Sequence, residues 1–219
     1  MTSGPAKPDL IIFDCDGVLV DSEVLSCACL SELLGECGIA LSEDEVVELF
    51  LGRSTAALLS HYKDDSRFVP GTFLPELKSR VLQRFSEKLR PIPGIVEVVS
   101  QLDCPSCVAS SSDLDRVRRS LELTGLAPLF GERLYTAQMV ARGKPAPDLF
   151  LHAAEQMHAT PGRTLVIEDS VSGVAAAKAA GMTVWGFVGG SHYRSRDGRA
   201  MLYDAGADRV FDRMADFWR

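Results

Sequence analysis

The chain has 219 residues, a formal net charge of −7, 46% hydrophobic residues and 24% charged residues. That balance excludes wholesale disorder and fibrous repeats, and the length suits one large domain or a domain carrying a sizeable insert. Net acidity opposes bulk association with nucleic acid or an anionic membrane surface, so neither is expected as a partner; a metal ion or a few lysines can still reverse the sign locally for a small anionic ligand.

The first nine residues are polar and carry Pro5 and Pro8, without the apolar centre of a signal peptide. No apolar run approaches the roughly 18 residues of a membrane span. The first strand-length apolar run is Leu10–Phe13. From Ser22 to Leu89 the pattern turns helical. Leu25, Cys29, Leu30, Leu33, Leu34 and Cys37 form one stripe, and Leu74, Leu77, Val81, Leu82, Phe85 and Leu89 form another. Val46–Leu51 and Ala56–Leu59 read as shorter helices between them. The stretch Arg90-Pro91-Ile92-Pro93-Gly94 is a turn-rich exit.

Beyond it, strand-length runs fall at Cys107–Ala109, Leu165–Ile167, Val184–Phe187 and Arg209–Phe211, with a weaker one at Arg133–Thr136. Helical patterns at Asp115–Thr124, Ala146–Met157 and Val171–Ala180 separate them. Strand–helix alternation predicts an α/β fold: a Rossmann-like parallel sheet with helices on both faces. The helical stretch then reads as a cap inserted after the first strand. The expected division is a core of residues 1–17 and 90–219 and a cap of residues 18–89.

Six cysteines in a chain of this length do not form a disulfide scaffold, so a reducing, cytoplasmic setting is expected. Cys104 and Cys107 have the spacing of a redox pair. With no thioredoxin-like context, the preferred reading is a loop entering a strand, with Cys107 as a small core residue.

Ligands of open α/β sheets bind beyond the carboxyl ends of the strands. The residues just after each run are therefore informative. They are Asp14-Cys15-Asp16-Gly17, Ser110-Ser111-Ser112 and Glu168-Asp169-Ser170, with Gly143-Lys144-Pro145 between the last two. Carboxylates at buried strand ends need a cation to offset their desolvation. Together with a hydroxyl and a lysine they make a site for a hard metal ion and a phosphate. Asp14 and Asp16 can divide the work, one attacking phosphorus and the other handling protons. Ser170 and Asp113 are expected as helix N-caps, with Gly181 as a helix stop. Asp21 reads either as a catalytic group or as a brace for the first turn. His152 and His158 are expected at the surface, and His61 near a cap-helix end. His192 lies in a glycine-rich loop after a strand, where an approach to the site is one reading.

At these residues the sequence resembles the haloacid-dehalogenase-like phosphohydrolases, in the branch holding β-phosphoglucomutase and many small-molecule phosphatases. The motifs are Asp14-Cys15-Asp16-Gly17-Val18-Leu19-Val20-Asp21-Ser22-Glu23, Ser110, Gly143-Lys144-Pro145-Ala146-Pro147-Asp148 and Ile167-Glu168-Asp169-Ser170-Val171-Ser172-Gly173. They follow the family's order and span most of the chain.

The resemblance implies that Asp14 forms an aspartyl-phosphate and that Asp16 acts as acid, then base. It also implies Mg²⁺ held by Asp14, the Asp16 carbonyl and Asp169, with Glu168 in or near the second shell, and phosphoryl oxygens bound by Ser110 and Lys144. Leu51-Gly52-Arg53-Ser54 resembles the specificity loop, where Arg53 would hold a hydroxyl, carboxylate or second phosphate; a solvated loop arginine is the competing reading. The implied activity is hydrolysis of a small phosphomonoester, a sugar phosphate or sugar-acid phosphate, by a monomer or weak homodimer. A sugar phosphomutase is the alternative, but Ser26 stands where β-phosphoglucomutase has a histidine. A non-catalytic phosphosugar sensor is disfavoured because Asp14 and Asp16 are both present. Phosphoacceptor signalling domains also use an aspartate, a metal and a lysine, but in another chain order.

Overall fold

A computed structural model describes residues 7–50, 55–194 and 196–218, with side chains left out at 55–57. Six strands form one parallel sheet in the order β3-β2-β1-β4-β5-β6. They are β1 (Leu10–Phe13), β2 (Ser106–Ser110), β3 (Leu134–Thr136), β4 (Thr164–Glu168), β5 (Thr183–Phe187) and β6 (Arg209–Phe211). Every expected run is a strand, the weak one included.

Because successive side chains alternate across a strand, β1 feeds two cores. Ile11 and Phe13 join Val108, Val117, Leu121, Phe130, Ile167, Phe211 and Phe217 on one face. Leu10 and Ile12 join Cys107, Ala109, Leu149, Phe150, Val166, Val174 and Val184 on the other. Three helices in the second half match the sequence pattern: α6 (Leu114–Leu123), α8 (Asp148–Gln156) and α9 (Val171–Ala179). Asp113 caps α6 by accepting from Arg116 N, and Ser170 caps α9 by accepting from Gly173 N.

Three short helices escaped the sequence pattern: α5 (Ile95–Ser100), α7 (Ala127–Phe130) and α10 (Gly198–Asp204). Each covers two turns or fewer, too little for a 3.6-residue period to stand out. The β-branched Ile95-Val96-Glu97-Val98-Val99 run reads locally more like a strand than a helix.

Between β1 and α5 lie four helices and no described strand: α1 (Glu23–Glu36), α2 (Glu43–Phe50), α3 (Thr55–His61) and α4 (Pro70–Lys88). Cys27, Leu30, Leu34, Val46, Phe50, Leu58, Tyr62, Phe68 and Phe73 give this layer its own core. Its underside is apolar too, since Cys29, Val81 and Phe85 pack into the same cluster as Phe13. The chain enters and leaves this layer through paired segments: Asp21 N donates to Arg90 O and Ile92 N to Leu19 O, at 3.0 and 2.9 Å. The two connections thus run side by side at one edge of the layer.

The cysteines are free thiols, and burial pushes the Cys107 thiol up to about 12. A thiol held protonated in that way suits the core reading of Cys107 over a redox one.

Phe130 is fully buried and meets Phe13 edge-on, with ring centroids 6.1 Å apart. Phe130→Ala should cost about 3–5 kcal/mol of unfolding free energy in urea denaturation. A cost under about 1 kcal/mol would contradict the packing described.

Candidate active site

Register sets the site. Phe13 pairs with Val108 of β2 and Ile167 of β4, so Asp14, one residue on, is level with Ala109 and Glu168. The strand order reverses between β1 and β4, the switch point where open α/β sheets bind ligands. A cleft of about 530 Å³ lies there, between the strand ends and the helical layer. Asp14, Asp16, Ser110, Lys144, Glu168 and Asp169 all line it, so six sequence-predicted residues are brought together. Arg53, the seventh, lies outside the described residues.

Lys144 is the hub. Its side chain is 3% exposed, and Nζ donates to Asp14 Oδ1 at 2.5 Å, Glu168 Oε1 at 2.6 Å and Ala109 O at 3.1 Å. Burial alone would lower the ammonium pKa, but Asp14 and Glu168 reverse that and raise it. Lys144 is therefore no solvated surface lysine. Asp14 is itself held well above the usual carboxylate range by burial and by Glu168 and Asp169, with Lys144 opposing. Asp169 is raised in the same way by burial, Glu168 and Asp16.

Glu168 is fully buried and both its oxygens are engaged. Lys144 takes Oε1, while Ser170 N and Oγ donate to Oε2 at 2.7 and 3.0 Å. A Cβ on Gly173 would stand 1.8 Å from Oε1, which explains a glycine in the first turn of α9.

Asp16 is treated differently. Burial would raise its pKa, but Arg116, Ser22 and Ser112 outweigh burial and lower it. Oδ1 accepts from Ser22 Oγ at 2.6 Å and Arg116 Nη2 at 2.8 Å, and Oδ2 accepts from Ser112 Oγ at 2.7 Å. Nη2 of Arg116 also donates to Ser26 Oγ at 3.0 Å, and its guanidinium lies 4.9 Å from the Phe85 ring centre. One arginine of the sheet layer thus touches both Asp16 and two helices of the helical layer.

Sequence reasoning gave no role to Arg116, Ser112 or Glu23. For Arg116 a signal existed: a cation three residues after the N-cap Asp113 opposes the helix dipole, and calls for an acidic partner elsewhere. Asp21 resolves as a brace, its Oδ1 accepting from Ser191 N and Oγ at 3.0 and 2.8 Å. His192 is buried beside Asp169, with Nε2 3.2 Å from Oδ2. His158 is exposed, and His152 is half-buried against Tyr135.

The donor set fits a divalent cation. Among the described residues, Asp14, Asp16, Glu168 and Asp169 have Lys144 and Arg116 as their close cations, and Asp14 and Asp169 are held above the usual carboxylate range by burial and neighbouring carboxylates. Among the described residues no three His, Cys, Asp or Glu side chains form a cation cage by themselves. Two carboxylates and a backbone carbonyl, the set implied by the resemblance, do not require one.

A parallel α/β sheet with acidic strand ends and a buried lysine beneath a cleft suits the binding of a small anionic group beside a cation. The chain belongs to the haloacid dehalogenase-like hydrolases, whose family model matches residues 11–187. It is 28% identical over 193 residues to a 6-phosphogluconate phosphatase of Escherichia coli (strain K12), covering 85% of this chain and 86% of that one. It is 32% identical over 213 residues to a phosphorylated carbohydrates phosphatase of Thermotoga maritima, covering 91% and 92%. A crystal structure of a haloacid dehalogenase-like protein of unknown function from Agrobacterium tumefaciens str. C58 superposes with a TM-score of 0.82. It is 40% identical and the match covers 95% of each chain. With phosphatases as its relatives, the chain is an enzyme of the phosphoric monoester hydrolase type. No described helix is long and apolar enough to cross a membrane.

Glu23 lines the cleft, and burial with the Asp16 and Asp169 charges raises it from 4.5 to about 7. The folded protein then holds that proton more tightly than the unfolded chain. Its contribution to stability is intact below pH 4.5 and is lost as pH rises to about 7. Glu23→Gln should therefore stabilise the metal-free protein by about 3 kcal/mol at pH 8 and by little at pH 4. Equal gains at both pH values, or a loss at pH 8, would contradict this; urea unfolding in EDTA measures it.

Proposed function

We propose that the chain is a Mg²⁺-dependent phosphatase that hydrolyses a small phosphomonoester, a sugar phosphate or sugar-acid phosphate, through an aspartyl-phosphate on Asp14. The observation that carries this reading is the buried Lys144 bridging Asp14 and Glu168 at the mouth of β1 and β4. The names of the two curated relatives support the substrate class.

Asp14, Asp169 and the carbonyl of Asp16 would hold Mg²⁺, with Glu168 behind them. The ion supplies charge neutralisation for the phosphoryl oxygens. The chain's own residues supply the rest. Lys144 and the Ser110 hydroxyl bind phosphoryl oxygens, and the Lys144 charge works against the burial that favours a protonated Asp14. An Asp14 oxygen attacks phosphorus, the ester P–O bond breaks, and Asp16 delivers a proton to the leaving oxygen. In the second half Asp16 takes a proton from water as that water attacks the same phosphorus. Inorganic phosphate leaves and Asp14 is regenerated. Ser22, Ser112 and Arg116 favour the ionised form of Asp16 that this second half uses, and the proton it takes from water is the one it delivers to the leaving oxygen of the next ester.

Residues 18–89, with their four helices, act as a cap over the strand-end site, and Arg53 reads substrate from it. The protein works in the cytoplasm on a small metabolite, as a monomer or weak homodimer.

A panel of sugar and sugar-acid phosphates assayed with and without Mg²⁺ tests the reading. Phosphate release should require Mg²⁺ and fall at least about 10³-fold in Asp14→Asn, which removes the nucleophile. No release across the panel, or undiminished release by the variant, would contradict it.

A further inference from the structure

His192 is a buried imidazole to which the chemistry above gives no task. It belongs to a single 3₁₀ turn, Ser191–Tyr193, that follows β5. Three consecutive residues of that turn grip the site from behind. Ser191 donates twice to Asp21 in the first-motif loop. The Tyr193 hydroxyl donates to the backbone carbonyl of Asp169. Between them, His192 is 4% exposed and sets Nε2 3.2 Å from Asp169 Oδ2.

The surroundings leave this imidazole little other use. Among the described residues neither ring nitrogen finds an aligned hydrogen-bond partner, and both are buried. A buried polar group in that state calls for a partner, and Asp169 Oδ2 is already within reach of Nε2. The packing is tight on both sides. A Cβ on Gly190 would stand 2.6 Å from His192 Cε1. A Cβ on Gly17 would stand 1.8 Å from Asp169 Oδ2 and 3.0 Å from His192 Cε1. Two glycines therefore make room for one contact.

We propose that His192 is a positioning residue for Asp169: its Nε2–H engages Oδ2 of Asp169 and reserves the other carboxylate oxygen for a divalent cation. This rests on the reading of Asp169 as a cation ligand. Groups that orient a ligand are worth about 10–100-fold in metal affinity, a loss separable from any loss of fold. The turn joins Asp169 to Asp21, so the same contact links the fourth strand's carboxylate to the loop that carries Asp16.

The test is isothermal titration of Mg²⁺ into the metal-stripped full-length protein, for the wild type and for His192→Gln, His192→Asn and His192→Ala. A glutamine amide reaches as far as Nε2, whereas an asparagine amide reaches only as far as Nδ1. Gln should retain most of the wild-type affinity, and Asn and Ala should bind about 10-fold or more weakly, with near-ultraviolet circular dichroism unchanged. If Ala does not fold, the contrast between the two amides decides alone. Asn binding as tightly as wild type, or Gln as weakly as Asn, would overturn the role of His192. A wild-type protein that binds no Mg²⁺ would overturn the metal-dependent reading itself, and this inference with it.

Discussion

A buried lysine shared by two buried carboxylates is the constraint on which this architecture turns. Asp14 and Glu168 sit where burial opposes their charge, and Lys144 is the cation within hydrogen-bonding distance of both. Removing one member of such a set strands the others, which is strongly destabilising in a low-dielectric interior. The arrangement therefore dictates much around it. β1 and β4 must be neighbours in the observed register, and the loop between β3 and α8 must reach back over the sheet edge. Gly173 must lack a side chain, because Glu168 occupies that space.

The second aspartate extends the same logic into the helical layer. Asp16 is held by Ser22 before α1, by Ser112 after β2 and by Arg116 of α6, and Arg116 continues to Ser26 and Phe85. The group assigned to proton transfer thus stands where the two layers meet. A shift of the helices about the paired connections at Leu19–Asp21 and Arg90–Ile92 would change the partners of Asp16 directly. Such a shift is a physical route from ligand enclosure to proton chemistry.

Much of this was legible in the sequence because parallel strands buried on both faces read as continuous apolar runs, and the polar residue ending each run marks the functional edge. Asp14, Ser110, Glu168 and Asp169 could be found that way, and Lys144 from the Gly143-Lys144-Pro145 segment that lies between two runs. The long helices between β1 and α5 announced themselves through sustained stripes, whereas α5, α7 and α10 are too short for a period to show. Arg116, Ser112 and Glu23 were missed for another reason. Their roles arise only when α6, the β2 loop and α1 dock around Asp16; the cation near the start of α6 hints that Arg116 has an acidic partner but does not say which. His192 was noticed but not placed, since a glycine-rich loop does not disclose which way its imidazole points.

The central claim is that the Lys144-bridged carboxylates make Asp14 a phosphoryl acceptor. Rapid acid quench of the enzyme during turnover of a ³²P-labelled phosphomonoester, followed by peptide mapping, tests it most directly. The account predicts a transient label on the peptide that contains Asp14, released by neutral hydroxylamine as an acyl phosphate is. A turning-over enzyme that never acquires the label, or carries it on a peptide without Asp14, would contradict the account.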